Sequence, residues 1–96
     1  MFTDVLEITV NYEEDGILTV KELDKEILSK GAWTTILFRY REWDHKSQDY
    51  GPDKFTIRRY RKMSGVYRQQ SKFNISSRKQ AEKIIETLSR WLESEE

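Results

Sequence analysis

Residues 32–43, AWTTILFRYREW, constrain the fold more than any other stretch of this chain. Aromatic and β-branched side chains dominate the segment and neither Gly nor Pro interrupts it, so it reads as a β-strand. Two segments of similar character follow: KFTIRRYRKM at 54–63 and VYRQQSKFNI at 66–75, separated only by Ser64-Gly65. A two-residue loop there makes a hairpin that pairs Met63 with Val66, Arg61 with Arg68 and Arg59 with Gln70. Between the first strand and this hairpin lies a polar loop from Asp44 to Asp53 that contains Gly51-Pro52. Loops of that length are often functional.

Upstream, VLEITVNY at 5–12 alternates apolar and polar side chains and predicts a half-buried strand. Asp15-Gly16 is a turn dipeptide, and the chain returns as a strand from Ile17 to about Glu22. Residues 1–23 thus read as an N-terminal hairpin and residues 32–75 as a three-stranded basic sheet. The link from Leu23 to Gly31 has two open readings, a short helical turn or an irregular connection. Downstream, Ser77 and Gln80 have capping-box spacing. Ala81, Ile84, Ile85, Leu88, Trp91 and Leu92 then recur at helical spacing, which predicts an amphipathic helix over 77–93. The tail ESEE at 93–96 is expected to fray. The expected class is α+β, a single domain over 1–96 with an antiparallel curved sheet of about five strands followed by one C-terminal amphipathic helix.

Charge is where function enters. The net charge is zero, yet residues 54–81 hold nine basic residues (Lys54, Arg58, Arg59, Arg61, Lys62, Arg68, Lys72, Arg78, Lys79) and no acid. The flanks compensate with net charges of −5 over 1–30, −1 over 31–53 and −3 over 82–96. A basic centre between acidic flanks suits a polyanion. Strand parity sorts this charge by face. One face of the hairpin collects Arg59, Arg61, Met63, Val66, Arg68 and Lys72, with Phe55 and Ile57 near its edge. The other collects Arg58, Tyr60, Tyr67, Phe73 and Ile75, and is expected to lie under the helix stripe. If Ile36, Phe38 and Tyr40 also face that core, the opposite sheet face presents Arg39, Arg41, Trp43, Arg59, Arg61, Arg68 and Lys72, the candidate nucleic-acid-binding residues. Arg can grip phosphates with paired hydrogen bonds, and aromatic rings can stack unpaired bases. Trp33, Phe38, Tyr40 and Phe73 read as core, whereas Trp43 reads equally well as a stacking platform. Alternatively, the basic row is a solvated sheet face or the seat of an acidic protein partner.

Other chemistry has little purchase on this sequence. There is no cysteine, hence no disulfide framework or thiolate site. His45 is the only histidine and lies in the polar loop beside Asp44 and Asp49. A metal there would need further ligands. The chain carries no phosphate-cradling Gly loop or nucleophile elbow, so neither enzyme nor cofactor is expected. No apolar run approaches the ~20 residues of a membrane span. The acidic, alternating N-terminus is unlike a signal peptide, and a cytoplasmic location is the default expectation. At 96 residues the core is small, and a dimer would relieve that.

From Ile17 to Leu92 the chain resembles the Whirly-like single-stranded-DNA-binding group, which includes the transcriptional coactivator positive cofactor four and its small bacterial relatives. The resemblance rests on KELDKEILSKGAWTTILFRYREW as a first strand pair and on SKFNISSRKQAEKIIETLSRWL as a last strand running through a polar cap into the helix. It implies a homodimer with packed helices, Trp91 and Leu92 at the dimer contact, and a curved Arg-rich sheet holding single-stranded DNA or RNA. The extra N-terminal strand and the long loop from Asp44 to Asp53 depart from the pattern. SRKQAEKI from Ser77 is also similar to the opening of the last helix of double-stranded-RNA-binding domains. That likeness would turn Arg78 and Lys79 toward phosphates.

Overall fold

The computed structural model describes residues 2–94. An antiparallel, curled sheet is followed by one C-terminal helix, an α+β architecture. The strands are β1 (Tyr12–Glu14), β2 (Ile17–Ser29), β3 (Trp33–Asp44), β4 (Asp49–Tyr50), β5 (Lys54–Met63) and β6 (Val66–Ile75). They lie in the order β1-β2-β3-β5-β6, with the two-residue β4 paired to the far end of β3. The helix α1 spans Arg78–Glu93. The expected fraying at 93–96 falls partly on residues 95 and 96, which lie outside the described residues; Glu93 is the last helical residue and Ser94 its cap.

Both tight hairpins use the same device. Asp15 and Gly16 have φ of 49° and 79°, and Ser64 and Gly65 have 52° and 77°. Two successive positive φ values give the turn whose twist matches that of its flanking strands. Met63 faces Val66 and Arg61 faces Arg68 as expected, but Arg59 faces Ser71 rather than Gln70. The register shifts between Arg59 and Tyr60, which face Ser71 and Gln69 and leave Gln70 as the extra residue of a bulge. One extra residue inverts the faces of everything beyond it. Lys72 therefore lies on the face of Arg58 and Tyr60, and Phe73 and Ile75 lie with Ile57 and Phe55 on the arginine face.

The core also differs from the expectation. Ile36, Phe38 and Tyr40 of β3, Tyr60 of β5 and Tyr67 of β6 do share one buried face. Their cover is the N-terminal segment, which contributes Val5, Ile8 and Val10 to the core, and not the helix. The strand predicted over 5–12 is absent: Val5–Glu7 form a 3-10 turn, and after a single bridge from Phe2 to Tyr67 the chain forms its first strand only at Tyr12. Asp4 caps the turn by accepting from the Leu6 amide, while the Glu7 carboxylate accepts from the Asp4 amide. The segment crosses the sheet like a strap. At one end the Tyr67 amide donates to the Phe2 carbonyl. In the middle Lys25 donates its ammonium hydrogens to the carbonyls of Leu6 and Ile8, at 2.9 and 2.7 Å. At the other end Asn11 Oδ1 accepts from the Glu22 amide at 2.7 Å. Lys25 thus satisfies two carbonyls of a segment with no ladder partner over them.

The link from Leu23 to Gly31 is neither helical nor irregular up to Ser29; it continues β2, with register shifts at Leu23 and Leu28. The helix with which a double-stranded-RNA-binding domain begins has no counterpart among the described residues. Ser77 caps α1 by accepting from the Gln80 amide at 3.1 Å, as its sequence position predicts. Gln80 returns the bond one residue earlier, to the Ser76 amide at 2.6 Å. The helix leaves the sheet instead of covering it, and none of its residues is buried. Ile85, Leu88, Trp91 and Leu92 are half or more exposed. The radius of gyration, 15.6 Å, reflects this elongation, since a compact chain of this length has about 12 Å. No helix among the described residues is long and apolar enough to cross a membrane.

The strap carries fully buried Ile8, so Ile8→Ala is expected to lower unfolding free energy by about 2–4 kcal/mol in urea titration. A loss under about 1 kcal/mol would mean that the strap adds little to the core.

Candidate nucleic-acid interface

The outer face of the sheet, opposite the strap, is built by three strands. β3 contributes Trp33, Leu37, Arg39, Arg41 and Trp43; β5 contributes Phe55, Ile57, Arg59 and Arg61; β6 contributes Arg68 and Phe73. Of the sequence-predicted residues, Arg39, Arg41, Trp43, Arg59, Arg61 and Arg68 share this face. Lys72 does not: it pairs with Arg58 on the inner face, because the bulge at Arg59 and Tyr60 reverses its parity. From Trp33 to Arg39 the face runs about 20 Å along β3.

The arginines fall into two groups. At the hairpin end Arg61 lies directly opposite Arg68. The guanidinium carbons of Arg59 and Arg61 sit over the Trp33 ring, 4.5 and 5.3 Å from its centroid. No acid among the described residues forms an ion pair with Arg59, Arg61 or Arg68. Like charges placed opposite each other destabilise a sheet, and the negative face of the indole relieves that in part. At the other end Arg39 and Arg41 each donate Nε–H to one oxygen of Asp53, both at 2.6 Å. Their charge is already partly answered. On β2, Asp24 faces Arg39, Glu26 faces Leu37 and Lys21 faces Arg41, so β2 brings two acids and one base to the outer face, whereas the charged residues that β5 and β6 bring are all bases.

The aromatic residues were sorted imperfectly by sequence pattern. Phe38 and Tyr40 are core, as expected. Trp33 and Phe73, also expected in the core, are 42% and 50% exposed on the arginine face. Trp43 is only partly exposed, packed edge-on against Tyr50 with ring centroids 5.1 Å apart, and its indole N–H finds no acceptor. On this face the accessible rings are thus Trp33 and Phe73. Trp33 was findable: it shares odd parity with Arg39, Arg41 and Trp43 on an unbroken strand. Phe73 was not, because its face depends on the bulge.

Neither a family model, a curated protein nor a solved structure matches this chain. What the outer face can do is therefore argued from its own chemistry: cations for phosphates or carboxylates, and flat rings for bases or apolar side chains.

Hydrogen bonds from Arg41 and then Arg39 hold the Asp53 carboxyl below its ordinary range, so the folded chain favours its ionised form. The stabilisation is present above the unfolded Asp value of about 3.9 and is lost as pH falls through the lower folded value. Asp53→Asn is expected to remove it. The stability gap between wild type and variant should be constant above about pH 5 and close below about pH 4 in denaturant melts. A gap that stays the same down to pH 2 would show that the bridge is not coupled to folding.

Proposed function

We propose that this chain binds single-stranded DNA or RNA with little sequence preference through its outer sheet face, and that it does so as a homodimer, as a binding protein without catalytic chemistry. One observation carries the reading: Arg59 and Arg61 lie over the half-exposed ring of Trp33, Arg68 lies directly opposite Arg61, and none of the three forms an ion pair with an acid among the described residues. Phosphates supply the anion that this crowding of like charge favours, and a base can stack on Trp33 or Phe73. The outer sheet face itself presents no helix to a groove, which disfavours sequence-specific reading of a duplex by this face. The resemblance to the Whirly-like single-stranded-DNA-binding group points the same way. The homodimer is supported by the apolar stripe of α1, which the chain's own sheet leaves uncovered at Ile85, Leu88, Trp91 and Leu92.

A second reading has one observation in its favour. The face already holds a carboxylate, Asp53, and exposes Phe73 between its arginines, a chemistry that an acidic protein surface would also satisfy. Competition separates the two, since a protein that buries the arginines would block oligonucleotide.

The test is fluorescence anisotropy with labelled poly-dT, poly-U and a duplex across a salt series. Single strands are expected to bind best, with affinity falling steeply as salt rises. Arg59→Ala with Arg61→Ala should flatten the slope of log K against log salt by about 1.4. Trp33→Ala should weaken binding by ~1–3 kcal/mol. Lys72→Ala, on the other face, should change affinity by less than about twofold. Unchanged binding by a folded Arg59, Arg61 double variant would refute the reading. For the dimer, sedimentation equilibrium should give twice the chain mass for wild type and a monomer for Leu88→Asp. A wild type that stays monomeric at micromolar concentration would remove that part of the proposal.

A further inference from the structure

Asp53 takes no part in the buried core. It lies outside any strand, in the link between β4 and β5, just after Gly51-Pro52. Arg39 and Arg41 lie two residues apart on central β3 and point to the same face, with side chains 51% and 44% exposed. The two oxygens of the carboxylate each take one Nε–H. Among the described residues no Nη of either arginine donates a hydrogen bond, so both guanidinium forks keep unused donors. Asp24 faces Arg39 across the β2–β3 ladder yet forms no ion pair with it.

We infer that Arg39 and Arg41 form an oxyanion site that the chain's own Asp53 occupies, and that a phosphate of a bound polyanion displaces this carboxylate. A phosphodiester also offers two non-bridging oxygens, so it can accept the same two Nε–H donors and further bonds from the Nη groups. Displacement costs no ladder bond, because Asp53 belongs to an irregular link. Exposed ion pairs of this kind are weak and screened by salt, so a multivalent anion can compete with one. The outer face then has a permanently open half, Arg59, Arg61 and Arg68, and a conditional half that opens when the ligand is long enough to reach Arg39. The identity of the polyanion rests on the nucleic-acid reading; the oxyanion site does not.

Two probes separate the claims: inorganic tripolyphosphate and a dT oligonucleotide, each titrated calorimetrically into wild type, Asp53→Asn, Asp24→Asn and an Asp53→Asn chain that also carries Arg39→Ala and Arg41→Ala. Asp53→Asn keeps the shape of the side chain, and circular dichroism of each variant is the check on its fold. The expected result is tripolyphosphate binding about fivefold tighter for Asp53→Asn than for wild type. Asp24→Asn should gain less than about twofold, because its carboxylate is near Arg39 but bonds to the Lys25 amide and to neither arginine. The gain should vanish when the arginines are removed. A gain that survives their removal, or no gain at all, overturns the site. A second measurement needs no variant: tripolyphosphate added to wild type should shift the Arg39 and Arg41 Nε–H resonances, and unmoved resonances at saturating probe overturn the site as well. If the site passes while the dT oligonucleotide binds none of the chains, the nucleic-acid reading fails and the site stands. If the oligonucleotide binds but tripolyphosphate does not distinguish the variants, the site fails and the nucleic-acid reading stands.

Discussion

Burying the inner face of the sheet is the requirement from which the rest of this structure follows. Ile36, Phe38, Tyr40, Tyr60 and Tyr67 form an apolar surface that must leave water. The chain covers it with the segment from Phe2 to Val10, not with its helix. Val5, Ile8 and Val10 supply the apolar contact, while the Lys25 ammonium and the Tyr67 amide donate to strap carbonyls and the Glu22 amide donates to the Asn11 side chain, fixing the segment across the strands. Because the strap occupies the inner face, the helix is excluded from it. The apolar stripe of the helix and the arginine face of the sheet are then both left uncovered.

The outer face illustrates how a small register defect controls composition. Without the bulge, Lys72 would extend the basic row and Phe73 would be core. With it, Lys72 joins Arg58 on the inner side and Phe73 appears among the arginines. The face becomes less basic and more aromatic than a strict alternation implies. That mixture suits bases and phosphates together better than a purely cationic row, since stacking and counterion release act on different parts of the same ligand. Asp53 adds a further modulation by answering two of the five arginines on the β3 and β5 part of the face and its β6 neighbour Arg68.

Much of this was legible because the signals were local. The Ser64-Gly65 and Asp15-Gly16 turns demand positive φ at adjacent residues, and those dipeptides advertise it. Ser77 and Gln80 mark the helix start through bonds made within four residues. The failures came where two patterns overlapped. VLEITVNY alternates well enough to pass for a strand, and Ile8 and Val10 do both point inward, but no neighbouring strand offers a ladder to them. Asp4 and Glu7 have capping-box spacing and were the available hint of a turn. The stretch from Leu23 to Ser29 looked half-helical because two register shifts disturb its alternation.

The sequence by itself determined the three strands β3, β5 and β6 and the helix that follows them, the two tight turns, the helix cap and the concentration of positive charge between 54 and 81. These depend on side-chain alternation, allowed φ and short-range hydrogen bonds, all of which act within a few residues. Only the tertiary structure decided which segment covers the inner face, which side of the sheet each residue beyond Gln70 occupies, and which arginines meet a carboxylate. Those outcomes depend on competition between segments distant in the chain for one apolar surface, and on a single unpaired residue whose effect is to exchange the two faces of a strand.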